Sequence, residues 1–278
     1  MNIKNYFNNF IDWLYSINLT KTVLIAVVFI WFCILIVLPL FGIAKAAFEN
    51  GAAEFFTSLI TSEAQHAFKM TIMITLLTIL INTLFGVILS VVIVRNQFRG
   101  KAFFEGLVDL PFAVSPVVAG FMLIVLFGRN GLIGRLFEMH QMKIIYAFPG
   151  MLLATLFVTL PFVAREIIPV LKEFGVQQEE AAYVLGASRW QTFWKVTLPS
   201  IKWGLAYGIT LSIARSIGEF GAVLVVSGNI IYKTQTSTLH IHQSFTDFNY
   251  TGALSGAIAL AFISFIIITG MQFVNERR

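Results

Sequence analysis

Six stretches of this chain are too long and too apolar for a fold that must dissolve in water: 23–44, 70–94, 107–127, 144–164, 204–226 and 251–274. Crossing the hydrocarbon core of a bilayer takes about 20 mostly apolar residues. In lipid the backbone must satisfy its own hydrogen bonds, which leaves helices and closed barrels as the spanning structures. The alternating apolar and polar pattern of barrel strands is absent, so all six stretches are read as helices. The expected fold class is an all-α integral membrane protein with six transmembrane helices. Composition agrees: 58% of residues are hydrophobic and only 12% charged, against about a quarter charged in soluble domains.

The net charge of +5 is arranged as a membrane protein would arrange it. With a cytoplasmic N-terminus, the inner segments hold twelve Lys and Arg residues and the outer segments six, and Arg215 stays inside a span. Positive charge concentrates on the cytoplasmic side. Both termini, the "RNQFRGK" loop and the "EEAAYVLGAS" segment are therefore expected in the cytoplasm, and the partner implied by composition is the lipid bilayer, not nucleic acid. The first span exceeds a signal-peptide core, lacks a convincing small-residue cleavage site and contains Pro39, so it is kept as a span. Cys33, the only cysteine, permits no internal disulfide. Residues 1–22 form an N-terminal segment ahead of the transmembrane domain, 23–278. There Phe7, Phe10, Ile11, Leu14 and Ile17 recur at helical spacing. That stripe suits a helix lying in the membrane interface, with a docking helix for a partner as the alternative.

The longest inner segment, 165–203, is amphipathic. Ala181, Ala182, Val184 and Leu185 offer a small apolar face, while Lys172, Glu173, Glu179 and Glu180 are expected to stay polar. Gly186 suits a helix-ending turn. Ser188, three before Gln191, matches a capping box for a second helix. That helix would turn Trp190, Phe193, Trp194 and Val196 toward the interface and close at Pro199. The product is a rigid helical knob, suited to a groove on a partner or to lipid headgroups.

Glu180-Ala181-Ala182, three residues, Gly186, nine residues, Val196, one residue, Leu198-Pro199 resembles the cytoplasmic loop of ABC importer permeases, E-A-A-x3-G-x9-I-x-L-P, with Val196 for Ile as the one departure. "DLPFAVSPVVAGFMLIVLFGRNGLIG", "FPGMLLATLFVTLPFVAREIIPVL", "ARSIGEFGAVLVVSGNI" and "KTQTSTLHIHQSFTDFNYTGA" are similar to the sulfate/thiosulfate branch of that family. "PFAVSPVVAG" and "PFVARE" look more like its CysW-type subunits than like the related molybdate and tungstate permeases. The resemblance implies a type I importer permease fold, in which the loop is a coupling helix docked on an ATP-hydrolysing subunit. Glu180, Ala181, Ala182, Gly186, Ala187 and Ser188 are then the ATPase-coupling positions. It further implies a second homologous permease, a dimer of ATP-binding subunits and an extracytoplasmic sulfate-binding protein, with ATP and Mg held by the partner and no cofactor in this chain.

Arg215 and Glu219 are the charges deep in a predicted span. Such charges are costly in lipid and face protein or water. Four apart, they would pair on one helix face, in a stripe with Ser212, Ala222 and Val226. Gly208, Gly218 and Gly221 would let neighbouring helices approach. Two readings stand: a translocation path or gate that includes Ser212 and Pro116, with a guanidinium matched to a tetrahedral oxyanion, or a structural ion pair. Pro111 and Pro116 would break span three, as a hinge or a tolerated kink. "FGRNGLIGR" is a basic outer turn. His240 and His242 lack further ligands within evident reach, so zinc is not expected. No phosphate-binding loop or catalytic signature is present. A membrane enzyme built on Arg215, Glu219, His240 and His242 would have no recognisable reaction. A secondary transporter would call for inverted repeats and buried carboxylates.

Overall fold

The computed structural model describes residues 19–276, so the aromatic stripe at Phe7 to Ile17 and the terminal Arg277 and Arg278 lie outside the described residues. Among the described residues all regular secondary structure is helical. Helix α1 (Leu19–Phe32) passes through a π-helical turn, Cys33–Val37, into α2 (Leu38–Ala47). Then follow α3 (Ala52–Ile60), α4 (Ser62–Arg95), α5 (Lys101–Ala113), α6 (Pro116–Phe127), α7 (Gly134–Met139) and α8 (Phe148–Phe174). The knob helix α9 (Gln177–Val184) precedes α10 (Arg189–Thr192), a second π turn at Phe193–Thr197, and α11 (Leu198–Ile217). Helices α12 (Gly221–Ser227), α13 (Ser237–Thr246) and α14 (Tyr250–Glu276) complete the chain.

Four of the expected spans are single long helices: α1 with α2, α4, α8 and α14. The other two are broken. Helices α5 and α6 meet at 114°, and the Arg189–Ile217 helix meets α12 at 53°. The expectation of a break beside Pro116 holds, but its size turns span three into an elbow. Pro111 sits inside α5, and Pro116 opens α6 as its first residue. A proline at a first-turn position costs no hydrogen bond, because that N–H has no intrahelical acceptor.

Pro199 does not close a helix as expected. It lies near the start of α11, and the chain passes from α10 to α11 through the π turn. The reason is the missing N–H of proline. The Lys195 carbonyl loses its i+4 donor, and the backbone widens so that the Leu198 N–H reaches the Phe193 carbonyl instead. The same device precedes Pro39, where the Leu38 N–H bonds the Cys33 carbonyl.

Helices α4, α8 and α11 form the centre. Lipid-facing helices gain little from burying more apolar surface, so close approach at small residues must hold them. Val163 of α8, fully buried, is wedged between Gly86 of α4 and Gly208 of α11. The interior is rich in hydroxyls, including Thr71, Thr75, Thr78, Thr155, Thr159, Ser212 and Ser216. Several return their proton to the carbonyl one turn back, as Thr155 does to Met151 at 2.9 Å and Thr159 to Thr155 at 2.6 Å. Asn82 ties α4 to α8 through the Thr159 hydroxyl at 2.8 Å. At the end opposite the knob, α13 packs on α4 and α14. Its Ser237 N–H donates to the Thr71 hydroxyl at 2.8 Å.

Candidate functional site

The knob is built by two consecutive end motifs. Helix α9 stops in a Schellman turn: Gly186 takes φ +86°, its N–H bonds the Tyr183 carbonyl at 2.9 Å, and the Ala187 N–H reaches back to Ala182 at 3.0 Å. The expected capping box follows at once. Ser188 Oγ accepts from the Gln191 N–H at 3.3 Å, and the Ser188 N–H donates to Gln191 Oε1 at 2.9 Å. The backbone groups at the turn are thus satisfied locally, and the tip keeps its shape without outside help. At that tip Val184 is 88% exposed and Leu185 87%. Ala181 and Glu180 are exposed beside them, Ala182 and Ala187 are half-buried, and Ser188 is exposed. Trp190, Phe193 and Trp194 cluster at the base, with ring centroids 5.5–6.3 Å apart.

Glu179 overturns the expectation that it stays polar. It is 7% exposed. Its Oε1 accepts from Arg95 Nη2 at 3.1 Å and from the Thr197 hydroxyl at 2.8 Å. Arg95 Nε approaches Oε2 to 2.8 Å as a charge contact off the N–H axis. The signal in the sequence was one acid of an adjacent pair, and nothing local distinguishes Glu179 from Glu180.

The second candidate lies at the break in span five. Arg215 is in the last turn of α11, which ends at Ile217. Glu219 therefore stands beyond the helix, in the three-residue gap before α12. The two still meet: Arg215 Nη1 is 2.8 Å from Glu219 Oε2, again a charge contact off the N–H axis. The carboxylate is 1% exposed and the guanidinium side chain 32%. Glu219 Oε1 accepts the Ala222 N–H at 2.9 Å, and the Glu219 carbonyl accepts the Thr238 hydroxyl at 2.7 Å. The acid thus closes the break, ties it to α13 and neutralises Arg215. The single-face stripe with Ser212, Ala222 and Val226 does not form, because the helix stops between its members. Ser212 is fully buried in α11, and its hydroxyl and that of Ser216 have no protein partner.

The glycines divide likewise. A Cβ on Gly221 would lie 3.1 Å from Pro116 Cβ, and one on Gly120 only 2.8 Å from Val225 Cβ and 2.9 Å from the Ala222 carbonyl oxygen. Helices α6 and α12, the arms beyond the two breaks, therefore lie in close contact at Pro116. Gly218 meets nothing nearer than 3.8 Å and serves the break instead. A void of about 10 Å³ adjoins Glu219, Thr71, Thr155 and Thr236, room for one water at most. Arg215 is the member of the pair that reaches the surface.

His240 and His242 sit two apart on α13, on different sides of the helix. His242 lies against the Phe220 ring at 5.2 Å. Burial pushes the His240 imidazole below its ordinary value, with the Glu63 carboxylate opposing. Among the described residues no three metal-ligating side chains converge.

Residues 82–278 match the family described as binding-protein-dependent transport system inner membrane component. The sulfate transport system permease protein CysW of Synechocystis is 43% identical, over 94% of this chain and 97% of its own length. CysT of the same kind of system in Escherichia coli is 34% identical, over 88% of each chain. A bacterial alginate ABC transporter, solved with its alginate-bound periplasmic protein, contains a chain of like fold: TM-score 0.77 at 19% identity, covering 96% of this chain and 95% of that one. The broken fifth span, the rigid knob before it and these relationships agree, and the chain belongs to the family of binding-protein-dependent transport system inner membrane components.

Proposed function

We propose that this chain is a membrane-spanning subunit of an ATP-driven importer that passes sulfate or thiosulfate into the cytoplasm. The observation that carries the importer role is the knob: a turn with every cap satisfied, presenting two almost fully exposed apolar side chains, Val184 and Leu185. An apolar tip on a rigid, charged base suits a protein cleft. That cleft belongs, in this reading, to an ATP-binding subunit, which hydrolyses the nucleotide. Closure of two such subunits would draw two knobs together and open the permease pair on the opposite face.

The substrate rests on the relatives, which are named as sulfate permeases over nearly their whole length. Likeness to both CysW and CysT supports pairing with a second, unlike permease, and the solved relative supports delivery by a binding protein outside the membrane. Glu219 is sealed within the subunit while Arg215 reaches its surface. That favours a path between the two permeases, bordered by Arg215, over a path through this one. The twelve-to-six distribution of basic residues supports cytoplasmic termini and a cytoplasmic knob.

The test is uptake of radiolabelled sulfate by cells that lack their own sulfate importer and express this chain with its partners, with molybdate as competitor. Saturable sulfate uptake that needs the binding protein is expected. Uptake of molybdate but not sulfate overturns the substrate and leaves the importer standing.

A further inference from the structure

The knob is fastened to the membrane helices by a buried clasp at its root. Arg95, in the last turn of α4, donates through Nη1 to the Leu171 carbonyl at 3.1 Å. Leu171 is among the last residues of α8, whose final carbonyls have no intrahelical donor. One guanidinium therefore sits at the negative ends of two helices, while Glu179 lies in the first turn of α9, at a positive end. Thr197, in the π turn that leads into α11, donates the remaining hydrogen bond to Glu179. The backbone of α9 packs on α10 and that π turn, and the Arg95 fork ties it to α4 and α8. Before α9, Gly175 at φ +69° offers a pivot.

We propose that Arg95 and Glu179 are a positioning pair that transmits displacement of the knob to α4 and α8, so that losing the pair lets the knob turn about Gly175 without moving the spans. This rests on the reading of the knob as the docking element for the ATP-binding subunit. A planar guanidinium held at fixed geometry by a carboxylate and a helix carbonyl conveys direction as well as charge, which an ammonium would not.

The experiment uses the assembled importer in proteoliposomes with its binding protein and radiolabelled sulfate. A photoactivatable amino acid at Val184 reports contact with the ATP-binding subunit. Glu179→Gln should keep that cross-link, lose some abundance because Arg95 is left unpaired, lose about tenfold in uptake per assembled complex, within the usual range of coupling between sites, and make ATP hydrolysis independent of loaded binding protein. Arg95→Met with Glu179→Met removes both charges and should restore any lost abundance, yet leave uptake low. Arg95→Lys should be intermediate. Recovery of uptake together with abundance in the double variant overturns the proposal, because the pair is then only structural. Undiminished uptake in Glu179→Gln, or loss of the cross-link there, overturns it too. No cross-link with native Arg95 and Glu179 removes the docking reading itself.

Discussion

Val163 makes a sharp prediction because glycines flank it on two helices for different reasons. A Cβ on Gly86 would lie 2.7 Å from Val163 Cγ1 and 2.8 Å from its Cβ, with the next atom at 3.5 Å. A Cβ on Gly208 would meet Val163 Cα at 2.9 Å and the Phe162 carbonyl oxygen at 3.2 Å, both main chain. Optimal carbon separations are about 3.5–4.0 Å, so either alanine must push a helix away by over half an ångström, and overpacking of this kind costs about 1–3 kcal/mol. Alanine also gains up to ~1 kcal/mol of helix propensity over glycine. Gly106→Ala shares that gain and meets nothing within 4 Å. Relative to Gly106→Ala, both Gly86→Ala and Gly208→Ala should therefore be destabilising by about 1–3 kcal/mol. The two separate in a Val163→Gly background. Removing the Val163 side chain takes away both atoms that Gly86→Ala strikes, so that penalty should largely vanish, as a coupling term in a double-mutant cycle. The Gly208→Ala penalty should persist, since Cα and the Phe162 carbonyl remain. The assay is reversible unfolding in mixed micelles, followed by tryptophan fluorescence. Equal rescue of both alanines by Val163→Gly, or Gly208→Ala as stable as Gly106→Ala, would refute the packing argument.

Three further predictions concern the proposed function. Gly186→Val should uncouple ATP hydrolysis from uptake through the backbone alone, since φ is +86° and nothing lies within 4 Å; Gly186→Asn should be tolerated, and normal coupled uptake in the valine variant at normal abundance removes the docking role. Arg215→Ala strands a carboxylate that is 1% exposed and should lower membrane abundance by a loss of about 3–5 kcal/mol, with Arg215→Ala, Glu219→Gln recovering it; an Arg215→Ala protein at full abundance with undiminished sulfate uptake sinks any role for the pair. Reporter fusions at Lys233 and at Arg278 should report opposite sides of the membrane, and equal sidedness removes the six-span topology.

What the sequence disclosed follows from which forces are local. Lipid demands an apolar run wherever a helix crosses it, so six spans could be read from single stretches. Their ends could not, because helices continue past the hydrocarbon: α4 starts at Ser62 rather than at 70, and α8 runs to Phe174 rather than to 164. At about 1.5 Å per residue, the 34 residues of α4 make a rod of roughly 50 Å. Capping is local too. Ser188 with Gln191, and Gly186 before them, needed only neighbours within three residues, and all three act as expected. Pro199 misled because a proline states what it withholds, an N–H, and not how the chain adapts; here a π turn absorbs the loss. The candidate sites were least legible where they join distant elements. Arg215 and Glu219 pair at the spacing expected, but through a break that periodicity could not show, since Gly218 and Gly221 look alike in sequence while only Gly221 lies against Pro116.

Glu179 carries the general lesson furthest. Two adjacent carboxylates on a short helix are equivalent to any rule of composition or spacing. One lies buried because Arg95, 84 positions earlier, and Thr197, 18 positions later, converge on it. Neither partner announces itself: Arg95 counts in the sequence as one more positive charge on the inner side, and Thr197 as a residue two before a proline. Burying a charge is tolerable only when each of its acceptor sites is filled and opposite charge is close. At the root of the knob Glu179 Oε1 takes two hydrogen bonds and opposite charge is close to Oε2, while the tip is left bare; that combination favours the proposed lever over a loop resting on headgroups. A headgroup-resting loop would turn its apolar residues and its tryptophans to one side and keep both acids in water. This one buries an acid against Arg95 and Thr197 and leaves Val184 and Leu185 almost fully exposed.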